Sequence, residues 1–163
     1  MEGLTMENMN QTEVKAEQTP MNNAQNAAQT PVAQLKTDRG LLKFILLSFI
    51  TLGIYGLIVT AHISEDVNVV CSRYDGKKTM NYWLLIFLVG PLTLGIGYIV
   101  WMHKLCERIG NEADRRGLGC NFGAATFWLW NVLGTFILVG PFIFLHKLLS
   151  TVNALNQDYN QKG

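Results

Sequence analysis

The chain has 163 residues, of which 49% are hydrophobic and 15% are charged, and its formal net charge is +1. This balance excludes a protein that binds nucleic acid through a concentrated basic face, so we expect no nucleic acid among its partners. The three cysteines show no close paired spacing, which argues against a zinc ribbon and against a disulfide framework.

The N-terminal part differs in composition from the rest of the chain. It is rich in Asn, Gln and Ala and contains no apolar stripe, so it cannot bury enough surface to offset the entropy of ordering. It also lacks the basic start, apolar core and cleavage site of a secretory signal peptide. We therefore predict a disordered tail over residues 1–37 and a single domain over residues 38–160.

Three long apolar segments follow the tail, over about residues 41–61, 82–102 and 124–145. Each segment runs into one of the three histidines of the chain, which are His62, His103 and His146. About 20 apolar residues suffice to cross a bilayer as a helix, and a charge at the bilayer centre is costly. Because the segments are long and almost free of charge, we predict an all-α integral membrane protein.

The segments share features that indicate a three-fold internal repeat with a period of about 40 residues. The motif TLGI occurs in the first two segments, and a tyrosine extends its first copy to TLGIY. The candidate packing or turn residues of the two copies are Thr51, Leu52, Gly53, Ile54, Tyr55, Thr93, Leu94, Gly95 and Ile96. In the third segment, LGTFILVGP replaces the motif.

An amphipathic polar extension follows each histidine. Its apolar residues are spaced by four, three and four positions, which places them on one face of a helix. Val67, Ile109 and Val152 lie in these three stripes. Such short stripes do not make stable isolated helices. We expect them to pack on one another, unless they are docking faces for a partner. Along the second extension, Lys104–Glu107 and Arg108–Glu112 have the spacing of helix-neighbour ion pairs.

The TLGIY motif, its weaker copy TLGIG, the polar extensions and the terminal LNQDYN together resemble the bacterial membrane domain called domain of unknown function 4234. The resemblance covers roughly residues 38–160. It implies a multi-pass domain of the cell inner membrane. It transfers no activity and no catalytic residue, because none is established for that family.

Two structures are compatible with the glycines of the motif. Small residues at Gly53 and Gly95 allow close approach of spanning helices, in which case valine at either position overpacks the contact and Gly119→Val is mild. Alternatively, the backbone breaks at each TLG, and each repeat forms a re-entrant hairpin with both ends on one face of the membrane. The Lys and Arg distribution favours a cytoplasmic N-terminal tail without choosing between the two structures.

The sequence contains no recognisable catalytic motif, and we predict neither an enzyme nor a cofactor. No second ligand recurs near the histidines, so we interpret His62, His103 and His146 as interfacial residues and predict no metal. We expect a structural or regulatory membrane module that presents polar helices to partners. Those partners are the lipid bilayer and either a second copy or another membrane protein. The alternative is an oligomeric channel or transporter component.

Overall fold

The computed structural model describes residues 31–163, so most of the predicted tail lies outside the described residues. Within residues 31–163 every regular element is helical, which confirms the predicted all-α class. Six helices form three consecutive pairs. The first members of the pairs are α1 (Leu41–Ile50), α3 (82–92) and α5 (124–137), and the second members are α2 (Ile54–Asp75), α4 (Ile96–Arg115) and α6 (Gly140–Lys162).

Two of the shorter helices change their winding along their length. The helix α3 consists of Tyr82–Leu84, a π-helical stretch Leu85–Val89 and Gly90–Leu92, and α5 consists of Ala124–Thr126, a π-helical stretch Phe127–Val132 and a 3-10 stretch Leu133–Ile137. Local residues set the helix ends. Asn81 caps the start of α3 because its side chain accepts a hydrogen bond from the N–H of Trp83 at 2.9 Å. Gly76, with φ of 63°, ends α2 in the left-handed conformation that favours glycine.

The glycines of the motif left two alternatives open, and the structure has the second: the helical backbone is interrupted at each TLG. The apolar segment 41–61 is divided between α1 and α2, and the segment 82–102 is divided between α3 and α4. Within residues 31–163, no single helix combines the length and the apolar character needed to cross a bilayer. The expectation of continuous apolar helices over these segments is therefore wrong.

The long helices α2, α4 and α6 contact one another. The helix α6 runs in the same direction as α2, because Leu149 lines one cavity with Val59 and, further along both helices, Asn156 donates to Asp66. Along α2, Asn68 and then Tyr74 meet Arg108 and then Arg115 of α4, which is the order of parallel helices. The core of this bundle consists of the predicted stripes. Val67, Ile109 and Val152 are all buried, which confirms that the stripes pack on one another. The one stripe residue that is exposed is Tyr74, which lies four positions after Val70 at the end of the first stripe.

The segment 32–40, which we call the N-terminal strap, lies along α6. The side-chain amide of Asn160 accepts from the N–H of Leu35 and donates to its carbonyl oxygen, both at 2.8 Å. Asn153 makes the equivalent pair of bonds to the backbone of Arg39, at 3.2 and 2.8 Å. These side-chain amides thus pair with the backbone N–H and carbonyl groups of the strap, as the backbone of a neighbouring β-strand would. Contact with the helical bundle therefore begins before the domain boundary predicted at residue 38.

Candidate functional site

The first TLGI motif forms a compact turn between α1 and α2. Leu52 and Gly53 have φ of 51° and 93°, in the left-handed region that residues other than glycine seldom adopt. The Thr51 hydroxyl donates to the carbonyl of Leu47 at 2.7 Å and accepts from the N–H of Tyr55 at 2.9 Å. Thr51 thus satisfies a free donor in the first turn of α2.

The second TLGI motif has the same geometry. Leu94 and Gly95 have φ of 51° and 88°. The Thr93 hydroxyl donates to the carbonyl of Val89 at 2.6 Å and accepts from the N–H of Gly97 at 2.9 Å. The motif is therefore a turn motif in which threonine caps the following helix and glycine supplies the left-handed backbone.

The glycines of the motif do not act by close packing. A Cβ added to Gly53 or Gly95 would meet no atom within 4 Å, so the predicted overpacking at these two positions is wrong. Their role is conformational, because both have positive φ. Gly119 also has positive φ, of 62°, so the expectation that valine is mild there is wrong for the same reason. Close packing occurs at Gly97, where an added Cβ would lie 2.7 Å from Val89 Cγ1.

The third turn, between α5 and α6, reaches a similar result with other residues. Leu138, with φ of 63°, is the left-handed residue there. The hydroxyl of Thr135 donates back to the carbonyl of Asn131, and within the described residues no side chain caps the start of α6. Instead, Gly134 and Gly140 bring the two backbones into contact, since a Cβ on Gly134 would lie 2.7 Å from the Gly140 Cα. The missing TLGI motif is thus replaced by a pair of glycines.

The three turns expose apolar side chains at one end of the molecule, because each lies at the start of one of the parallel helices. We call this end the apolar tip. The exposed fractions are 95% for Leu52, 93% for Leu94 and 77% for Leu138. Further exposed apolar residues of the tip are Phe49, Ile50, Ile54, Leu92, Ile96, Phe136, Ile137 and Val139. An exposed apolar surface of this kind marks a contact with lipid or with another protein.

The opposite end, which we call the charged base, contains an ion-pair cluster. The guanidinium of Arg116 binds Glu112 at 2.7 Å and Asp158 at 2.8 Å, and its side chain is only 4% exposed. Arg115 binds Glu112 at 2.6 Å, and its guanidinium carbon lies 3.4 Å from the ring centre of Tyr74. The cluster therefore joins the ends of all three long helices.

The charges of the cluster shift the pKa values of Arg116 and Asp158. Burial alone would lower the pKa of Arg116, but the hydrogen bonds and negative charges of Asp158 and Glu112 raise it overall. Burial alone would raise the pKa of Asp158, but Lys162 and Arg116 lower it overall. Arg116 and Asp158 are therefore both ionised at neutral pH.

Arg108 forms a second cluster at the edge of the base. It binds the carboxylate of Asp75 at 2.7 Å, and it also donates to the side chain of Asn68 and the carbonyl of Lys77. The pair Arg108–Glu112 predicted along α4 is therefore wrong, since each residue has partners elsewhere. The reason is geometric: Glu112 faces the interior, where it is buried, and Arg108 faces the loop after α2.

Arg39 of the N-terminal strap forms a third cluster. Its guanidinium binds Asp66 of α2 at 2.6 Å, and the amide of Asn156 from α6 donates to the same carboxylate oxygen at 2.8 Å. Sequence reasoning missed these contacts. Local spacing could not have revealed them, because Arg39 and Asp66 are 27 residues apart.

The structure does not bring the three histidines together. His62 and His146 are exposed, and the Nδ1 of His103 accepts a hydrogen bond from Trp128 Nε1 at 3.1 Å. Among residues 31–163, no group of three or more His, Cys, Asp and Glu side chains is arranged to hold a metal ion. Burial raises the pKa of the Cys71 thiol to about 12, so this buried thiol stays protonated.

The motif-based resemblance is confirmed for part of the chain. We call each pair of consecutive helices a hairpin. The model of the family described as Domain of unknown function (DUF4234) matches residues 39–111, which cover the first hairpin and most of the second. The third hairpin lies outside the match. No curated protein and no solved structure matches the chain. Since the family description names no activity, the function has to be inferred from the geometry of the tip and the base.

Proposed function

We propose that this chain, which carries a DUF4234 domain at residues 39–111, is a non-catalytic membrane module that inserts its apolar tip into one leaflet. The charged base stays in water and presents the ends of α2, α4 and α6 to partners. The observation that carries this proposal is the separation of surfaces: the exposed apolar residues lie at the three turns and along α1, α3 and α5, and the ion pairs gather at the other end.

The dimensions of the hairpins support insertion into one leaflet. The helix α1 has 10 residues. At about 1.5 Å per residue, it is about 15 Å long, which is half of the roughly 30 Å hydrocarbon core of a bilayer. A hairpin of this depth enters and leaves on the same side. The re-entrant alternative, in place of a multi-pass crossing, is therefore the form of membrane association that we propose.

The backbone of the turns supports the same conclusion. Non-helical backbone is costly in hydrocarbon unless its polar groups have partners. In the first turn, the N–H of Gly53 donates to the carbonyl of Ser48 at 2.6 Å, and the N–H of Thr51 donates to Leu47 at 3.0 Å. In the second turn, the N–H of Gly95 donates to Gly90 at 2.8 Å. These bonds allow the turns to enter an apolar medium.

The charge distribution suggests which leaflet is used. Within residues 31–163, the three turns contain no Lys or Arg, and the basic residues with ion-pair partners lie toward the base. Because cytoplasmic segments carry the excess of Lys and Arg, we place the base and the N-terminal strap on the cytoplasmic side of the cell inner membrane. We further propose that the three hairpins arose as a repeated unit of about 40 residues.

Labelling of single cysteines from each side of the membrane tests the insertion. In a cysteine-free background, cysteines placed at Ser72, Gly119 and Asn160 report the ends of the three hairpins. We expect a membrane-impermeant maleimide to label all three from the cytoplasmic side of inverted vesicles and none from the other side. Three crossing helices would instead place Gly119 on the side opposite Ser72 and Asn160, which would contradict the proposal.

Vesicle flotation tests the role of the tip itself. The double variant Leu52→Asp/Leu94→Asp places charges at the two most exposed positions of the tip. We expect it to lose flotation with phospholipid vesicles, because a charge in the hydrocarbon is costly. The matched control Gln157→Asp/Gln161→Asp adds two negative charges at exposed positions of the base and should float like the natural chain.

The alternative is an oligomeric channel or transporter component. Such proteins usually carry ionisable residues within the membrane. Along the tip segments 44–61, 82–102 and 124–145 there is no Asp, Glu, Lys or Arg. We therefore favour the non-catalytic module. Solute flux through proteoliposomes above that of protein-free vesicles would favour the channel.

A further inference from the structure

We infer that a groove along the second hairpin binds one anionic phospholipid, with its phosphate at Lys77, Lys78 and Lys104 and an acyl chain along α3 and α4. This inference rests on the proposed membrane insertion and adds a specific ligand to it. It follows from a cavity that is apolar at the end near the tip and basic at the end near the base.

The groove has a volume of about 920 Å³. Ligand pockets are typically about 300–1,000 Å³, so the groove is large enough for a substantial part of a lipid. Its apolar end is formed by Val89, Ile96, Val100 and Trp101. The cavity of the first hairpin is smaller, about 170 Å³, and it lies beside the N-terminal strap. A cavity of about 480 Å³ lies at the third hairpin, so the groove of the second hairpin offers more room than either of these two cavities.

The apolar end of the groove is formed by residues that are held in fixed positions. The indole N–H of Trp101 donates to the carbonyl of Met80 at 3.0 Å, so its polar edge is satisfied and the ring packs as an apolar wall. Gly97 has no side chain between α3 and α4, where a Cβ would be 2.8 Å from the Thr93 hydroxyl. These residues keep the two helices close and leave an apolar channel that ends in the loop at the base.

The basic end has an excess of positive charge. Within residues 31–163, the ammonium groups of Lys77, Lys78 and Lys104 take part in no ion pair, and Glu107 is the one acidic residue that lines the groove. Arg108 also lines it, but its guanidinium is bound to Asp75. Three lysines against one carboxylate complement a phosphate group.

Arg108 acts as a positioning residue for this basic end. It donates to the carbonyl of Lys77 at 2.9 Å and to the hydroxyl of Thr79. The loop that carries Lys77 and Lys78 is thereby fixed to α4, which carries Lys104. The phosphate site would therefore be formed before the lipid binds, which lowers the cost of binding.

Native mass spectrometry of the full chain, extracted in a mild detergent, tests the inference. The probes are phosphatidylglycerol and phosphatidylcholine added at equal concentration. We expect one phosphatidylglycerol per chain and roughly a hundredfold weaker retention in Lys77→Gln/Lys78→Gln/Lys104→Gln, given the contribution of each of the three lysines near an anionic lipid. The matched control Lys36→Gln/Lys43→Gln/Lys147→Gln removes the same charge elsewhere and should retain the lipid.

A second pair of variants tests the apolar end. Val100 lines the groove and is exposed, so Val100→Trp fills the channel without crowding the core. We expect Val100→Trp to reduce lipid retention at least fivefold, on the scale of one displaced apolar contact. Its neighbour Ile99 is also exposed but does not line the groove, and Ile99→Trp should retain the lipid.

The outcomes separate this inference from the proposed insertion. If the natural chain floats with vesicles of phosphatidylcholine but retains both lipids equally, the lipid site is wrong and the insertion stands. If it floats with neither lipid, the insertion itself fails, and the lipid site fails with it. If Val100→Trp changes the oligomeric state instead of lipid retention, a second copy occupies the groove and the lipid site is wrong.

Discussion

The apolar tip and the charged base are built in opposite ways. The helix α1 of the tip has no buried residue, whereas the part of α6 that runs to the base has eight, from Leu148 to Tyr159. The tip depends on hydrogen bonds within single turns, and the base depends on side chains from different hairpins. The difference teaches that the fold is held together at the base, and that the tip is shaped locally for a medium outside the chain.

The largest loss of stability is expected when the ion pairs at the centre of the base are removed. Arg116→Ala would leave the buried carboxylates of Glu112 and Asp158 without their shared partner. Breaking a buried ion pair costs about 3–5 kcal/mol. We expect a loss of unfolding free energy of that size, measured by denaturant unfolding in mild detergent.

The control for this variant is Arg115→Ala. Arg115 binds the same Glu112, but its side chain is 42% exposed. We expect a loss of about 1 kcal/mol or less, because water screens exposed pairs. Equal losses for the two variants would contradict the view that burial makes Arg116 the centre of the base.

The next largest loss of stability is expected at Gly97, which lies between the tip and the base where α3 and α4 are in close contact. Gly97→Val would force the new side chain against Val89 and Thr93. Overpacking of this kind costs about 1–3 kcal/mol. We expect a lower thermal midpoint by circular dichroism. Gly40→Thr is the control: Gly40 has negative φ and open space around it, and threonine, which has the shape of valine, is accepted at its N-cap position, so this variant should stay close to the natural value.

How far the sequence predicts this molecule depends on the range of each interaction. The stripes of Val67, Ile109 and Val152 were predicted because helical periodicity is local. The break at Gly53 was predicted as one of two alternatives, since glycine serves close packing and positive φ equally well. The base was not predicted: Arg116 and Asp158 are 42 residues apart, and only the folded bundle brings them together.

A smaller effect is expected from the capping threonines of the tip. Thr51→Val and Thr93→Val keep the shape of the side chain but remove the acceptor for the N–H of Tyr55 and Gly97. Loss of such a cap costs about 0.5–2 kcal/mol. Thr135→Val in the third turn removes only a bond to a carbonyl that already belongs to a helix, and we expect a smaller loss.

Hydrogen exchange measured residue by residue gives the decisive readout for the threonines. We expect faster exchange at the start of α2 in Thr51→Val and no change in the N-terminal strap, because the cap acts within its own turn. If Thr135→Val destabilised the domain as much as Thr93→Val, the distinction between the TLGI turns and the third turn would be lost.

The smallest loss of stability is expected at the edge of the base, when the pH is lowered and Asp75 becomes protonated. Partial burial would raise the pKa of Asp75, but the hydrogen bonds from Arg108 and from the N–H of Lys77 and their positive charges lower it overall. A carboxyl group with a lower pKa in the folded state stabilises the fold above about pH 4, the ordinary value for Asp, and this contribution is lost as the pH falls below it. Since the Asp75 side chain is 30% exposed, we expect the pair to contribute about 1 kcal/mol or less.

The Asp75 contribution can be isolated by comparing Asp75→Asn with the natural chain at pH 6 and pH 3. The side chain of this variant stays neutral at both pH values, so the difference in unfolding free energy between the two chains should shrink as the pH falls. Asp158, whose pKa is also lowered, titrates in both chains and cancels in the comparison. A difference that stays constant from pH 6 to pH 3 would mean that the Asp75 charge contributes nothing, and that Arg108 holds the loop through Thr79 and the Lys77 carbonyl alone.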